Sequence, residues 1–370
     1  MHSKFRIVIV TPALADANNG NWRTARRWAG MLASAYRVRL TKQWHAEDRE
    51  ASGDDLMIAL HARRSASSIA AWHAAHGARA GGRAGERTGA GTGGRGRAPA
   101  PLVLALTGTD LYRDIDVDPD AQRSLELADR LIVLNELGAA RLPASLRARC
   151  TVVLQSCPAR QALAAKPHRH LRALIVGHLR GEKDPATGFR AISRLAHRAD
   201  LRFDHIGGVL DAALAEQARA LMAAAPRYRW LGERSHAESR RRIQAAHVLV
   251  HPSLMEGGAQ VVIEAIRSGT PVLASRMDGN VGLLGADYGG YFEVGDDGAL
   301  AALLERARDD PAMLPALARQ VERRAPLFAP EAEAAALHRM VRELLADAAP
   351  APNDMRRHRG ATNAPAGDPR

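Results

Sequence analysis

The sequence predicts an α/β protein built from two Rossmann-like, doubly wound parallel-sheet domains that face a central cleft. Three observations support this prediction. The chain has 370 residues, more than one ordinary hydrophobic core organises. Apolar runs of strand length alternate with amphipathic helical stretches, which is typical of parallel sheets covered on both faces. The alternation occurs in two series, separated by a segment that contains Lys166 and Pro167.

The first series predicts a domain over residues 1–160. Its apolar runs predict strands at residues 5–10, 56–60, 102–106, 131–134 and 152–154, with helices at 22–33 and 65–75 between them. Arg6 interrupts the first apolar run and no small-residue cleavage site follows, so we interpret this run as a buried strand rather than a secretory signal. Residues 77–100 are rich in Gly and Arg and are expected to form a disordered insertion.

The second series predicts a domain over residues 167–326. Its strands are expected in the segments LRALIVG, RFDHIG, YRWLG, HVLVHPS, PVLAS and YFEV, and its helices at 186–197, 212–224, 237–245 and 259–267. Residues 327–347 predict a further helix that crosses back to the first domain. The tail, residues 348–370, is expected to be disordered.

More than half of the net charge lies in two segments that are expected to be disordered. The net charge is +12, which fits nucleic acid, an anionic membrane or an anionic substrate. Residues 77–100 carry +4 and residues 355–370 carry +3, which leaves +5 for the rest. We therefore expect no nucleic-acid partner. The sequence has no apolar run of about 20 residues, so no stable membrane insertion is expected, and two cysteines predict a reduced, cytoplasmic protein.

The strongest motif is EGGAQVVIE at residues 256–264, followed by SGTPV at 268–272. It predicts a strand end, a glycine turn, a helix, a glycine stop and a further strand. Gly257 and Gly258 would let a ligand approach the backbone. The free N–H groups of a helix that begins near Ala259 and Gln260 would suit a phosphate or a diphosphate.

Two carboxylates, Glu256 and Glu264, bracket this helix start. They lie eight residues apart in sequence, which is about 12 Å along a helix. Carboxylates so placed could accept hydroxyl hydrogen bonds from the two ends of a nucleotide sugar. The alternative interpretation makes Glu256 a helix cap and Glu264 a solvated helix residue.

Arg180 and Lys183 follow the first strand of the second series, in GHLRGEKDP. Two cations just past a strand end would neutralise the charge that builds on a departing diphosphate. Lys183 is one of only four lysines among 52 basic residues, which favours a selected role. The alternative is a solvated charged loop.

Candidate residues of the first domain also follow predicted strands. Gly20 and Asn21 come after the first strand, in a turn that could present N–H groups to an anion or simply cap a helix through Asn21. His61 and Asp110 end two later strands and could orient an acceptor or assist proton transfer, although structural roles are an open alternative. The neighbours of His61, Arg63 and Arg64, are anion-site candidates.

Metal and nucleophile interpretations find little support. Asp114, Asp116, Asp118 and Asp120 alternate, but the twelve-residue calcium loop needs Gly and Glu where this chain has Pro119 and Leu125. We expect a solvated turn there, with Asp120 capping a helix. No set of cysteines and histidines has zinc spacing, and Cys157 is expected to be a buried small residue rather than a nucleophile.

The EGGAQVVIE segment resembles the E-x7-E motif of the family-four GT-B glycosyltransferases. This resemblance implies a GT-B fold, a UDP-sugar donor and catalysis without a metal or other cofactor. It also implies that Glu256 contacts the donor sugar, Glu264 holds the ribose, and Arg180 and Lys183 bind the diphosphate.

A more specific resemblance covers most of residues 5–330. The segments TPALADANNGNWRTARRW, ALHARRS, LTGTDLYRDI, LQSCP, GHLRGEKDP, EGGAQVVIEA and LASRMDGNVGLLGADYGGYF are similar to those of the selenosugar synthases of selenoneine biosynthesis. Members of this family join selenophosphate to the anomeric carbon of a UDP-sugar, typically UDP-N-acetylglucosamine, and release UDP and phosphate. Asn280, a further candidate for contact with the sugar of the substrate, stands in a GNVG segment where members often carry Glu. Gly20 and Asn21 stand where members carry a glycine-rich loop.

The selenosugar resemblance implies functional partners as well. One is a selenophosphate synthetase that supplies the acceptor, and the other is a downstream enzyme that transfers the selenium. Two other functions stay open at this point. One is a family-four glycosyltransferase with an ordinary hydroxyl or lipid acceptor, and the other is a basic RNA- or membrane-binding protein.

Overall fold

The computed structural model describes residues 5–13, 20–77, 100–163 and 166–347. Residues 78–99 of the predicted insertion and the whole tail from residue 348 lie outside this description. The described residues contain two six-stranded parallel sheets, each flanked by helices, so the predicted pair of doubly wound domains is confirmed.

The first sheet has the strand order β2-β1-β3-β4-β5-β6. Its strands are β1 Arg6–Val10, β2 Arg37–Thr41, β3 Leu56–Leu60, β4 Leu102–Leu106, β5 Arg130–Val133 and β6 Cys150–Val152. The accompanying helices are α1 Gly20–Leu32, α2 Ala66–His76, α3 Ile115–Val117, α4 Pro119–Leu127 and α5 Ala144–Arg147. A π-helical turn, Asp110–Asp114, leads into α3. The sequence analysis missed β2, because this edge strand is only partly buried and carries arginines within its apolar run.

The second sheet has the order β12-β11-β10-β7-β8-β9. Its strands are β7 Leu171–Val176, β8 Leu201–Ile206, β9 Tyr228–Trp230, β10 Val248–His251, β11 Val272–Ser275 and β12 Tyr291–Phe292. Its helices are α6 Pro185–Arg194, α7 Ala212–Ala224, α8 His236–Ala245, α9 Gln260–Ile266, α10 Asp278–Leu284, α11 Asp297–Asp309 and α12 Met313–Arg324.

The strand orders locate the crevices in which ligands of such sheets bind. In a doubly wound sheet the connections diverge at a topological switch point, and a crevice opens there at the carboxyl ends of the strands. The switch point lies between β1 and β3 in the first sheet and between β7 and β10 in the second. The segments that follow these four strands contain most of the candidate residues.

The last helix, α13 Pro330–Asp347, returns to the first domain. Its buried apolar side chains join the same core cluster as Ile7, Ile9 and Trp28 of that domain. Glu333 on α13 is buried and accepts hydrogen bonds from the Trp28 indole at 2.7 Å and from the Ser156 backbone N–H at 2.9 Å. It also pairs with the Arg27 guanidinium at 2.8 Å. The helix therefore completes the first domain and attaches it to the chain that leads into the second.

None of the helices in the described part of the chain is long and apolar enough to span a bilayer.

Candidate active site

Lys183 and Glu256 form an ion pair at the switch point of the second sheet. Lys183 lies in a helical turn that follows β7, and Glu256 follows β10. The Lys183 ammonium pairs with Glu256 Oε1, and the two side chains are 19% and 12% exposed. His251 Nε2 lies 3.3 Å from the same oxygen. Burial alone would raise the pKa of Glu256, but the charge of Lys183 and the hydrogen bond from His251 together outweigh it and hold that pKa well below its ordinary value. The carboxylate is therefore ionised at neutral pH and can accept a hydroxyl hydrogen bond.

Buried polar atoms without partners surround this ion pair. Arg180 Nε and Ser253 Oγ are buried and make no hydrogen bond within the described residues. Such groups are costly unless something else satisfies them. A small cavity at these strand ends is lined in part by Lys183, His251 and Ser253. This part of the site therefore has unused capacity for a polar ligand.

Glu264 lies on α9, in the helix turn that follows Glu256. Its side chain is only 2% exposed and contacts the imidazole of His236. The distance from His236 Nε2 to Glu264 Oε1 is 2.6 Å. Ser268 donates a hydrogen bond to the Glu264 carbonyl at 2.7 Å, which anchors the end of the helix. Glu264 is therefore a buried carboxylate and not the solvated residue of the alternative interpretation.

The glycine turn, residues 256–258, packs against the first domain. A Cβ on Gly257 would lie 2.5 Å from the carbonyl carbon of Thr107, and one on Gly258 would lie 2.9 Å from Gln155 Oε1. Asn135 Nδ2 donates to the Gly257 carbonyl at 2.8 Å. In this structure these glycines face the first domain, and their contact with a ligand stays a prediction. They leave room for the backbone and side chains of the opposite domain.

Ala259 and Gln260 also belong to this contact. Ala259 is buried at the start of α9 without capping that helix through its side chain. Gln260 donates from Nε2 to the Ser156 carbonyl at 3.3 Å, in the segment that leaves the first domain. The helix start therefore lies at the junction of the two domains.

Asn280 lies on the helix whose first turn packs against Glu256. It is fully buried on α10, and its Nδ2 donates to the Ser275 carbonyl at 3.0 Å. A Cβ on the preceding residue, Gly279, would lie 1.9 Å from the Glu256 carbonyl oxygen. Direct contact with a sugar, expected from the sequence, does not fit a side chain without exposed surface. Its Oδ1 has no partner in the described chain.

His61 lies at the switch point of the first sheet, in a strained conformation. Its φ of 74° is in the left-handed region, which a non-glycine residue seldom adopts. The Arg64 N–H points to His61 Nδ1 at 3.4 Å, so Nε2 carries the proton and donates to Thr109 Oγ1 at 3.1 Å. Burial lowers the pKa of His61. The imidazole is thus neutral and has both nitrogens engaged.

Asp110 fixes the loop that faces the glycine turn. Its Oδ1 accepts from the N–H groups of Thr107 and Gly108, both at 2.8 Å, and its Oδ2 accepts from the Ala62 N–H at 3.0 Å. Asp110 is fully buried. A direct role in proton transfer, expected from the sequence, does not fit this arrangement, because backbone donors occupy both oxygens. Asp110 instead positions the loops that carry His61 and Gly108.

Arg63 and Arg64 differ although they are adjacent. Arg63 Nε donates to Asp114 Oδ2 at 3.0 Å, so its charge is already paired. Arg64 is exposed, and its guanidinium forms no hydrogen bond or ion pair with the described residues. Arg64 is therefore the better candidate of the two for binding an external anion.

Gly20 and Asn21 form the start of α1, and Asn18 and Asn19 lie outside the described residues. Because the helix already begins at Gly20, Asn21 lies inside its first turn and is not the cap. Space is open around Gly20, where a Cβ would meet no atom within 4 Å. These residues follow β1 and therefore share the first switch point with His61.

Two ion pairs and a pair of linked hydrogen bonds connect the two domains beside the site. Arg113 pairs with Glu182 at 3.4 Å, and Arg324 pairs with Glu136 at 2.9 Å. Asn135 Nδ2, which binds the glycine turn, also donates to the Tyr112 hydroxyl at 3.0 Å. The loops that follow β4 and β5 of the first sheet are consequently held against the loops at the second switch point.

The acidic run and the cysteines have ordinary structural roles. Asp118, rather than Asp120, caps α4 by accepting from the Ala121 N–H at 2.9 Å, because Pro119 occupies the first helical position. No group of three or more potential metal ligands occurs among the described residues. Burial raises the pKa of the Cys150 and Cys157 thiols to about 11. Both cysteines are unpaired thiols.

Comparison with known proteins identifies the fold. Residues 161–327 match the family model described as glycosyl transferases group 1. The sucrose-phosphate synthase of Thermosynechococcus elongatus is 18% identical, with 93% of this chain and 100% of that chain covered at a TM-score of 0.69. HepE of Anabaena, solved with UDP-glucose, is 13% identical over 91% and 99% of the two chains, with a TM-score of 0.69. The lipopolysaccharide outer core galactosyltransferase WaaB is 13% identical over 92% and 99%, with a TM-score of 0.63.

No curated protein sequence matches the chain significantly. The structural matches nevertheless extend over both sheets and nearly the whole length of these neighbours. The chain therefore has the GT-B fold, and its match to the glycosyl transferases group 1 model covers residues 161–327, less than half of its length.

Proposed function

We propose that this protein is a glycosyltransferase that takes its sugar from a UDP-sugar bound mainly to the second domain. The observation that carries the proposal is the Lys183–Glu256 pair at the second switch point, surrounded by buried polar atoms that have no partner. HepE, which shares the fold, was solved with UDP-glucose. In this proposal the diphosphate lies against Arg180 and Lys183, the sugar hydroxyls bind Glu256, and the ribose binds Glu264.

Charge neutralisation is the chemical contribution of Arg180 and Lys183. As the bond from the anomeric carbon to the diphosphate breaks, negative charge builds on the leaving oxygen, and cations already fixed nearby stabilise it. Lys183 is held against Glu256 before any ligand binds. Arg180 adds a guanidinium whose Nε makes no hydrogen bond among the described residues and lies 3.9 Å from Glu182 Oε2. We propose that this leaving-group stabilisation needs no metal or other cofactor.

We propose selenophosphate as the acceptor and UDP-N-acetylglucosamine as the donor. The selenium attacks the anomeric carbon and the C–O bond to the diphosphate breaks, so UDP leaves with the bonding electron pair. Water then cleaves the Se–P bond and gives a selenosugar and phosphate. The long segments similar to selenosugar synthases support this acceptor, and so does the environment of His61. Both nitrogens of that imidazole are engaged, so it offers no free base for a hydroxyl acceptor, whereas an anionic selenium nucleophile needs none.

The acceptor would bind to the first domain, close to the exposed Arg64. A selenophosphate synthetase would supply it, and a selenium-transferring enzyme would use the product. The two unpaired thiols fit a reducing, cytoplasmic compartment.

The decisive experiment measures UDP release from UDP-N-acetylglucosamine with and without selenophosphate, with the product identified by mass spectrometry. We expect release to depend on selenophosphate and the product to contain one selenium. UDP-glucose and simple hydroxyl acceptors complete the panel. UDP release that does not depend on selenophosphate but increases with a hydroxyl acceptor would refute selenophosphate as the acceptor. The proposal of a UDP-sugar donor would still stand.

A deletion variant tests the interpretation as a polyanion-binding protein. Removal of residues 78–99 and 348–370 takes away +6 of the net charge of +12. The enzyme proposal predicts unchanged turnover in this variant. A polyanion-binding protein would instead lose a tight, salt-sensitive affinity for RNA or anionic vesicles.

A further inference from the structure

The imidazole of His236 covers the buried carboxylate of Glu264. The Nε2–Oε1 distance is 2.6 Å, and the His236 side chain is 50% exposed while that of Glu264 is 2% exposed. An ionised carboxylate can only accept, so His236 Nε2 carries the proton and donates. No other hydrogen bond to the Glu264 carboxylate occurs in the described part of the chain.

Both side chains are held by the helices that carry them. Ser235 Oγ accepts from the Glu238 N–H at 3.2 Å, which caps α8 and makes His236 its first residue. Glu264 lies on α9 beside Val262 and Ile263, which are fully buried. The donor and the carboxylate therefore meet at the edge of two fixed helices, next to the second switch point.

We propose that His236 is a positioning residue for the nucleoside of the donor. Its Nε2–H fixes Oε1 of Glu264 and so turns Oε2 towards a ribose hydroxyl. The exposed part of its ring forms the wall beside the nucleoside. This inference rests on the proposed function, since it places the ribose at Glu264, and it adds a residue from a helix that the sequence motifs do not include.

The size of the effect on UDP affinity is estimated from the hydrogen bond between His236 and the Glu264 carboxylate. Bonds with one charged partner contribute more to binding or stability than neutral ones. Loss of the donor frees the Glu264 carboxylate to rotate, so the ribose loses a fixed acceptor. We expect His236→Ala to weaken UDP binding about ten-fold. His236→Gln keeps an N–H donor at a similar reach and should restore most of the affinity.

The test measures the affinities of UDP, 2′-deoxy-UDP and 3′-deoxy-UDP by calorimetry on the full chain. Wild type should prefer UDP over at least one deoxy analogue, and His236→Ala should reduce this preference. The matched control is His197→Gln, since His197 is an exposed histidine 3.7 Å from Glu305, outside the site. This variant should bind all three nucleotides as wild type does. A purely structural role of His236 would weaken UDP and both analogues equally.

The outcomes separate this inference from the proposed function. Wild-type affinity in His236→Ala, or an equal loss for all three nucleotides, overturns the role of His236. A wild-type protein that prefers ADP to UDP overturns the UDP-sugar proposal, and the role of His236 is then tested with the deoxy analogues of ADP. A protein that binds no nucleoside diphosphate overturns both.

Discussion

Replacement of Lys183 by Met tests stability and catalysis at once, because the substitution keeps the length of the side chain and removes its charge. Glu256 would then be an ionised carboxylate in a largely buried position, with only His251 nearby. Breaking a buried ion pair by removing one partner is strongly destabilising. With side chains 19% and 12% exposed, we expect a loss of about 3 kcal/mol in the free energy of unfolding, at the lower end of that range.

The double variant Lys183→Met, Glu256→Gln should recover most of this loss, since no unpaired charge is left. Urea unfolding of the two single variants and the double variant measures the coupling between the residues. The control is Arg123→Met, which removes an exposed pair with Glu126 and should change stability little. A double variant no more stable than Lys183→Met would refute the reasoning.

The pH dependence has a definite sign. The folded-state pKa of Glu256 lies below its ordinary value, so its ionised form adds stability above pH 4.3 or so, and this stability is lost as the pH falls through the lowered pKa. Without Lys183 the folded-state pKa rises. The loss in free energy of unfolding caused by Lys183→Met should therefore be largest at neutral pH and should decrease towards pH 4. An equal deficit at both pH values would contradict this account.

Catalysis is measured on the same variants by the rate of UDP release. Loss of one group that stabilises developing charge lowers kcat by about 100- to 1,000-fold. The double variant should regain stability but stay inactive, because the cation is still missing. A Lys183→Met enzyme that keeps its kcat within a factor of about two would exclude a role for Lys183 in leaving-group stabilisation.

Three further predictions concern other parts of the molecule. Gly257→Ala places a methyl group 2.5 Å from the opposite backbone and should lower turnover about 100-fold, whereas Gly30→Ala, with no atom within 4 Å, should not. Glu333→Ala should lower the free energy of unfolding by about 3 kcal/mol in urea melts, with UDP affinity unchanged. Burial lowers the pKa values of His205 and His247 to about 4, so the unfolded chain takes up more protons as the pH falls. Thermal stability should therefore decrease from pH 6.5 or so towards pH 4, and His247→Gln should flatten this decrease.

Most of the fold could be predicted from the sequence, because buried parallel strands are continuous apolar runs. The predicted strands at residues 56–60 and 102–106 coincide with β3 and β4, and the others differ from the observed strands by one or two residues at either end. The strand order of the second sheet explains why Lys183 and Glu256 are close together, because they follow β7 and β10, which are neighbours at a switch point. Of the strands in the described residues, only β2 was not predicted. It is a partly exposed edge strand, and its arginines interrupt the apolar run by which a strand is predicted.

The rest of the candidate site depends on contacts that sequence spacing does not encode. His236 and Glu264 are 28 residues apart and lie on different helices. Asn135 belongs to the first domain and binds a carbonyl of the second, 122 residues away. A glycine permits close approach, but its sequence context does not tell whether a ligand or another backbone approaches. For Gly257 it is the backbone of the opposite domain.

The return of α13 to the first domain has a consequence for biosynthesis. Leu337, Met340 and Val341 supply part of the core that covers β1 and α1, yet they are translated after the whole second sheet. On the ribosome the first sheet therefore emerges with one apolar face uncovered, and it gains its last layer only when the second domain is already complete. The first 160 residues produced alone would keep that face exposed, so the two halves of this protein form a single unit of folding.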